Sequence, residues 1–310
     1  MKFYVYDNIE DFLPKEIADN VRLKKVFTYK RLIVDGKEEK DPSKASYFIV
    51  PTLFLFDEFN KIEKSDLLMD KFCHHLPYWK RNKDRHIFLD QSDECVISPV
   101  LSSSILFTTT PSKTNPLHNA LPFYPYKHEW LNVRALLEKP FSSCKFDLFF
   151  KGCGDNMDVR KKMIEYMPTY ERNGFSTYVK TYSRYFWNQD ISDKKKQEER
   201  IHYFDRMTDS KFVLCPRGKG TTSSRFFEAI YFGRIPVLIS DNCKLPLEKK
   251  IDWNNLIVNA DPLDLPILHK KIYEFISKHD LVKVSDSLKR LSQEYFTLQT
   301  MFKMIRDTLK

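Results

Sequence analysis

Short apolar runs recur along this chain, each closed by turn residues, and longer stretches of helical period lie between them. In the first half, Phe3 to Tyr6, Tyr47 to Pro51, His86 to Leu89 and Ile105 to Thr108 read as strands, and Asp57 to Lys71 reads as a helix. Asp35 to Lys44, charged and carrying Gly and Pro, reads as an exposed loop. Pro111 to Trp130 is rich in Pro, His and aromatics and has no clear period. A segment of that kind is an active-site loop or a domain connection. The pattern then restarts. Phe146 to Phe150, Thr177 to Thr181, Phe212 to Cys215, Ile235 to Ile239 and Leu256 to Val258 read as strands, and from Leu265 the chain is helical almost to its end. Two successive strand–helix series predict two doubly wound α/β domains, with ligands at the carboxyl ends of the strands.

The stretch from Phe212 to Asp241 is the most informative. An apolar strand, Phe212 to Cys215, is broken by Pro216 to Gly220; Thr221 to Ser224 supply four hydroxyls where a helix starts; Ser224 to Tyr231 is helical; Gly233 suits its stop; and Ile235 begins a second buried strand. The chain has only seven glycines, and Gly218, Gly220 and Gly233 fall here. Glycines and hydroxyls before a helix let an anion approach free backbone N–H groups and the positive end of the helix dipole. Arg225 and Glu228 are three apart and share a helix face, and Arg217 precedes the first glycine. Two arginines suit a diphosphate and a carboxylate suits sugar hydroxyls, which describes a nucleotide-sugar site. An exposed ion pair on an ordinary βαβ unit has the same spacing. The run is neither a P-loop nor the dinucleotide G-x-G-x-x-G.

The sequence from Cys215 to Asp241, followed by Leu245-Pro246 and Asp252-Trp253, resembles the C-terminal signature of exostosin-like glycosyltransferases, family 47. The matching parts are Pro216 to Gly218, Ser223 to Ala229, Gly233 to Val237 and Ser240-Asp241. Weaker echoes lie in KFYVYD at the start, YFIVP near 50, RHIFLDQSD near 90 and FDLFFKG near 150. The resemblance implies a GT-B-like α/β fold: two doubly wound, Rossmann-like domains facing across a cleft. Residues 1–138 would form the acceptor-side domain and 139–294 the nucleotide-sugar-binding domain, with 295–310 returning to the first. It also implies an inverting transfer from a UDP-sugar to an oligosaccharide or glycoprotein glycan. Xylose, galactose, glucuronate and N-acetylglucosamine are all in range as donor sugars, and a small stand-alone member leans towards xylose.

Chemistry narrows the candidates further. No Asp-x-Asp occurs anywhere in the chain, so the leaving diphosphate is expected to be met without a metal, by Arg217, Gly218, Gly220, Thr221, Thr222, Ser223, Ser224 and Arg225, with Glu228 on the ribose. No other cofactor is implied. Lys151 and Arg160, near FFKG, are candidates for the diphosphate too, though a surface role is as compatible with their positions. An inverting transfer needs a base. Asp90 and Asp93 follow the strand His86 to Leu89 and are the nominees, Asp93 ahead; a turn start and a helix cap would explain the same residues. Asp7, His128 and Glu129 are the alternatives. Tyr124, Tyr126 and Trp130 offer rings for acceptor sugars, or for ordinary packing beneath a loop.

Composition adds bounds rather than identity. At 310 residues with 42% apolar residues the chain can bury real cores. No apolar run approaches a membrane span, and Lys2 to Tyr6 opens the chain as a strand with no apolar leader, which suggests a stand-alone, cytoplasmic or cytosol-facing protein. Six scattered cysteines without a C-x-x-C pair fit free thiols in a reducing compartment. The net charge of +9 comes from dispersed lysines with no nucleic-acid module, and no nucleic-acid partner is expected; the run Lys194 to Arg200 reads as a solvated helix face. A catalytically inactive nucleotide- or glycan-binding protein of the same fold is the alternative function.

Overall fold

The computed structural model of the chain describes residues 1–6, 9–18, 39–53, 64–92, 98–123, 137–154, 157–183 and 191–310. Contacts within the chain separate two units. One comprises Met1–Phe123, Asn242–Leu247 and Leu298–Lys310, the other Tyr124–Asp241 and Glu248–Thr297.

In the first unit, β1 (Phe3–Val5), β2 (Tyr47–Leu53), β3 (His86–Asp90), β4 (Ile105–Thr108) and β5 (His118–Ala120) form a parallel sheet whose described strands follow one another in chain order. All of β3 is buried, as expected of a central parallel strand covered on both faces. Phe48, Val50 and Phe88 pack with Leu68, Met69 and Phe72 of helix α1 (Ser65–His75) in the core on one face. The helix expected over Asp57 to Lys71 is seen from Ser65, and the residues expected to precede it from 57 to 63 lie outside those described.

Strand β5 falls in the stretch that shows no period in the sequence. Its three residues, His-Asn-Ala, carry no apolar signal, and the ladder to Leu106–Thr108 makes them a strand. The segment Asn242–Leu247 attaches beside it: Ser112 bridges Cys243, and the Lys244 ammonium donates to the His118 carbonyl at 2.7 Å.

The second unit is built on β6 (Phe146–Cys153), β7 (Thr177–Tyr182), β8 (Ser210–Pro216), β9 (Ile235–Ile239) and β10 (Val258–Ala260), all parallel, in the order β7-β6-β8-β9-β10. The order reverses between β6 and β8, which makes this the topological switch point of a doubly wound sheet. The last residues paired between these strands are Phe149 and Val213; beyond them β6 continues only with β7, to Cys153–Tyr182, and β8 only with β9, to Pro216–Ile239. The sheet therefore splits at the carboxyl ends of β6 and β8. Helices α2 (Asp158–Glu165), α3 (Asp193–Thr208), α4 (Ser224–Tyr231), α5 (Leu268–Lys278) and α6 (Leu281–Tyr295) complete the unit, and α7 (Met301–Thr308) belongs to the first, where Phe302 stacks on Phe3 at 5.6 Å. These two parallel α/β units are of the GT-B-like, Rossmann-like type expected from the sequence.

Strand β10 starts two residues later than the pattern predicts. The Asp252 side chain caps a short 3₁₀ turn at Trp253–Asn255, and the N–H groups of Leu256 and Ile257 bond the Trp253 carbonyl at 3.0 Å, which keeps both out of the strand. Helix α4 begins and ends where its sequence predicts. Gly233 has φ +65°, its N–H bonds Ile230 O at 3.0 Å, and Arg234 N–H bonds Ala229 O at 2.8 Å, the paired bonds of a Schellman stop. A Cβ on Gly233 would also sit 2.6 Å from Lys289 side-chain carbons. Gly233→Ala should therefore destabilise the fold by about 1–2 kcal/mol, the usual cost of a left-handed alanine. Chemical denaturation should show a lower midpoint at unchanged slope; an unchanged midpoint would refute the assignment.

Candidate active site

The split between β6 and β8 frees the Lys151 carbonyl from the β8 ladder. Arg225, in the first turn of α4, takes it: Nη2 donates to Lys151 O at 2.8 Å, and the guanidinium lies over the Phe150 ring at 4.6 Å. A Cβ on Gly152 would stand 2.6 Å from Arg225 Nη2, so the glycine leaves the guanidinium room for this position. Arg225 is 7% exposed, and its Nε and Nη1 have no hydrogen-bond partner among the described residues. Buried guanidinium donors without acceptors are costly, and an anion that reached them would offset that cost.

These groups face a cavity of about 170 Å³ lined by Lys151, Gly152 and Cys153 of β6, Arg160 of α2, Tyr182 of β7, Glu199, Arg200, Tyr203 and Phe204 of α3, and Ser223, Ser224, Arg225 and Glu228 of α4. The pairing of Arg225 with Glu228 on one face of α4, read from the sequence, is thus found on a cavity wall. Ser223 holds the N-cap position in extended conformation but its hydroxyl makes no cap bond, so the helix start is not closed by a side chain. Arg160 reaches across from α2: its Nη1 donates to Cys153 O at 3.3 Å, and its Nη2 lies 3.3 Å from where a Gly218 Cβ would stand.

Lys151 lies in the cavity wall at 3% exposure, which removes the surface role that its position in the sequence left open. Its ammonium donates to Glu199 Oε2 at 2.7 Å and contacts His202 Nδ1 at 3.0 Å. Burial pulls the Lys151 ammonium below the usual lysine range despite Glu199. Glu199 keeps more of its hydration; the Lys151 hydrogen bond, helped by Tyr182 and Lys180, pulls it down to about 2. Glu228 behaves in the opposite sense. Burial pushes its carboxyl above the usual range, against a hydrogen bond from the Tyr203 hydroxyl and the charges of Arg225 and Arg200.

Other nominees sit elsewhere. Arg217 pairs with Asp241 at 3.0 Å and, with Gly218, Gly220, Thr221 and Thr222, is outside the cavity lining. The loop they form is fastened instead by Arg217 N–H to Ile239 O and Ser240 Oγ to Thr221 O, at 3.0 and 2.7 Å. Asp90 is fully buried; it accepts the Ser92 N–H at 3.0 Å, the Ser92 hydroxyl, and the Thr108 hydroxyl at 2.9 Å. The carboxylate thus joins the ends of β3 and β4. Asp93, Asp7, Tyr124, Tyr126, His128, Glu129 and Trp130 lie outside the described residues.

Glu199, Arg200 and Tyr203 are absent from the sequence-based candidates, and the first two belong to the run read as a solvated face. A signal existed in their spacing. Residues 199, 200, 203 and 204 form an i, i+1, i+4, i+5 stripe on α3, and all four line the cavity. Among the described residues no group of three or more His, Cys, Asp or Glu is placed to hold a metal ion, and no helix is long and apolar enough to cross a membrane.

The exostosin GT47 domain family matches residues 1–274. Exostosin-1 of Drosophila melanogaster is 32% identical over 125 residues, covering 38% of this chain and 16% of that protein. Probable beta-1,4-xylosyltransferase IRX10L of Arabidopsis thaliana is 41% identical over 71 residues, covering 23% of this chain and 17% of that protein. Probable glucuronosyltransferase GUT1 of Oryza sativa subsp. japonica is 25% identical over 309 residues, covering 86% of this chain and 69% of that protein. Matches to three such relatives span only 16% to 23% of their lengths.

The Lys151–Glu199 pair has a pH signature. Glu199 titrates lower in the fold than its ordinary 4.5, so the stabilisation is complete above that value and is lost as pH falls towards about 2. Denaturation curves across this window should show stability falling more steeply for the native protein than for Glu199→Gln. Parallel pH profiles would show that the pair contributes nothing.

Proposed function

The chain belongs to the exostosin GT47 family, and on that premise we propose that it is a glycosyltransferase moving a sugar from a UDP-sugar to a glycan acceptor, with inversion and without a metal ion. The observation that carries this reading is Arg225, buried in a cavity wall at the switch point with two donors unpartnered, one helical turn from Glu228. A diphosphate would meet those donors, with Arg160 and the open start of α4 beside them. Glu228 would accept from the vicinal hydroxyls of the ribose.

In the transfer, an acceptor hydroxyl oxygen attacks the anomeric carbon as the bond to the diphosphate breaks and UDP leaves with the electron pair. The hydroxyl proton passes to a base. Negative charge grows on the diphosphate, and fixed cations in a part-buried cavity stabilise it without reorganising. With no Asp-x-Asp in the chain, these cations take the place of a divalent ion. The names of the relatives speak for a pentose or a uronic acid as the transferred sugar, and we propose xylose first.

Calorimetry with UDP in EDTA tests the donor site. The native protein should bind, and Arg225→Ala should weaken binding about ten- to a hundredfold, the loss of a charge-assisted hydrogen bond of about 1.5–3 kcal/mol. Equal UDP affinity in a folded Arg225→Ala protein, or binding that needs magnesium or manganese, sinks this assignment.

Since Asp90 is committed to its strand ends, Asp93 carries the proposal for the base. Asp93→Asn should lower kcat by about 10² to 10⁴ with UDP affinity intact. Unchanged turnover in the variant would return the role to Asp7, His128 or Glu129. UDP binding with no release of UDP from any UDP-sugar by the native protein would favour the inactive binding protein instead.

A further inference from the structure

The inner face of α3 holds a group that the proposed reaction has not used. Tyr203 is half-buried in the cavity wall; its ring meets Phe149 edge-on at 5.5 Å and Phe204 edge-on at 5.0 Å. Its hydroxyl donates to Glu228 Oε2. We propose that Tyr203 is the positioning residue for Glu228, fixing the carboxylate so that it presents Oε1 to the vicinal hydroxyls of a nucleotide ribose. This rests on the reading of the cavity as a nucleotide-sugar site.

Glu228 lies on an eight-residue helix whose first turn is occupied by Arg225, and the carboxylate could swing towards that guanidinium, whose Nε and Nη1 are unpartnered. Such a pair would consume both the acceptor needed by the ribose and the donors needed by the diphosphate. The two residues are not an ion pair in this structure; Tyr203 holds the carboxylate and Lys151 O holds the guanidinium. The Tyr203 ring is in turn fixed by aromatic contacts from β6 and from its own helix. One hydroxyl from a third element thus keeps an acid and a base on neighbouring turns from cancelling each other.

The same hydrogen bond favours the ionised carboxylate, against the burial that raises its pKa. The groups that act on Glu228 are Tyr203 and Arg200 from α3 and Arg225 from α4; Lys151 of β6, tied to Glu199, lines the same cavity. Of these, Tyr203, Arg225 and Arg200 favour the ionised form, and burial opposes it. Without the hydroxyl, Glu228 should take up its proton at higher pH.

The test uses the full chain, its Tyr203→Phe variant, which keeps the ring, and Glu228→Gln. Carbon-13 labelled glutamate carboxyls are titrated by NMR, with Glu228→Gln identifying the Glu228 resonance. The midpoint should move up in Tyr203→Phe; an unmoved midpoint overturns the proposal whether or not any ligand binds. UDP and its 2′,3′-dideoxy analogue are then compared by calorimetry. Tyr203→Phe should lower UDP affinity about tenfold, with the acid limb of binding displaced to higher pH, and leave the dideoxy analogue unaffected. Equal losses for both nucleotides would make Tyr203 a packing residue only, which also overturns the proposal. A native protein that binds both nucleotides equally, or neither, refutes the ribose reading instead, while the NMR result still judges Tyr203.

Discussion

The second unit is organised around one released carbonyl. Where β6 and β8 part, Lys151 O loses its place between strands, and Arg225 supplies the donor that the neighbouring strand no longer provides. That bond ties α4, the helix following β8, to the end of β6 on the other side of the split. It draws a guanidinium into the protein onto the Phe150 ring, in space that a side chain at residue 152 would contest. One donor is used and the others are left facing a cavity. Burying a cation on these terms lowers stability unless something else is gained, since each unsatisfied buried donor costs about 1–3 kcal/mol. A sheet that only needed closing could have used a neutral donor here.

The charges around that arginine are sorted by environment. Glu199 and Glu228 are both carboxylates of one cavity wall, yet one is pulled far down and the other pushed up. Glu199 has lysines on both sides and some access to water, so it stays ionised and neutralises Lys151. Glu228 has little hydration and is held by a phenol rather than an ammonium. The effect is that the Lys151 ammonium is paired with a carboxylate, while Arg225 meets only a neutral carbonyl. Arg225 brings to this wall a planar guanidinium, the group that binds phosphate in a fixed fork, with Nε and Nη1 unpartnered among the described residues.

Much of this was legible in the sequence where local rules and the fold agree. Helix α4 runs from Ser224 to Tyr231 as its hydroxyls, apolar spacing and Gly233 predict, and β4 and β9 fall on their apolar runs. The face shared by Arg225 and Glu228 follows from three-residue spacing alone. The misreadings arose where tertiary contacts decide. His118 to Ala120 is a strand only because β4 offers it a ladder. Spacing likewise cannot reveal that Ser92 and Thr108 donate to Asp90 at the strand ends. In the run Lys194 to Arg200, Lys194, Lys195 and Glu198 are exposed, but Glu199 and Arg200 line the cavity. A one-dimensional charge pattern cannot separate those two sides of a helix.

The start of α4 shows how hydroxyls predicted for one role can be free for another. Serine before a helix usually accepts an N–H of the first turn, closing the end that would attract an anion. Ser223 has the backbone geometry of a cap, with φ −138° and ψ 137°, yet no side-chain cap bond, and Thr222 Oγ1 is buried with no partner among the described residues. The loop does not depend on these hydroxyls for its shape, because Gly218 N–H to Thr222 O and Ser240 Oγ to Thr221 O already hold its backbone. Backbone anchoring replaces side-chain capping, so the helix keeps its entry angle while its first N–H groups are left unclosed by a side chain. The same division of labour governs Arg225, where a carbonyl fixes the guanidinium and its other donors stay unspent. At both places a main-chain carbonyl serves as the anchor point, and the remaining polar side-chain groups are left out of the anchoring.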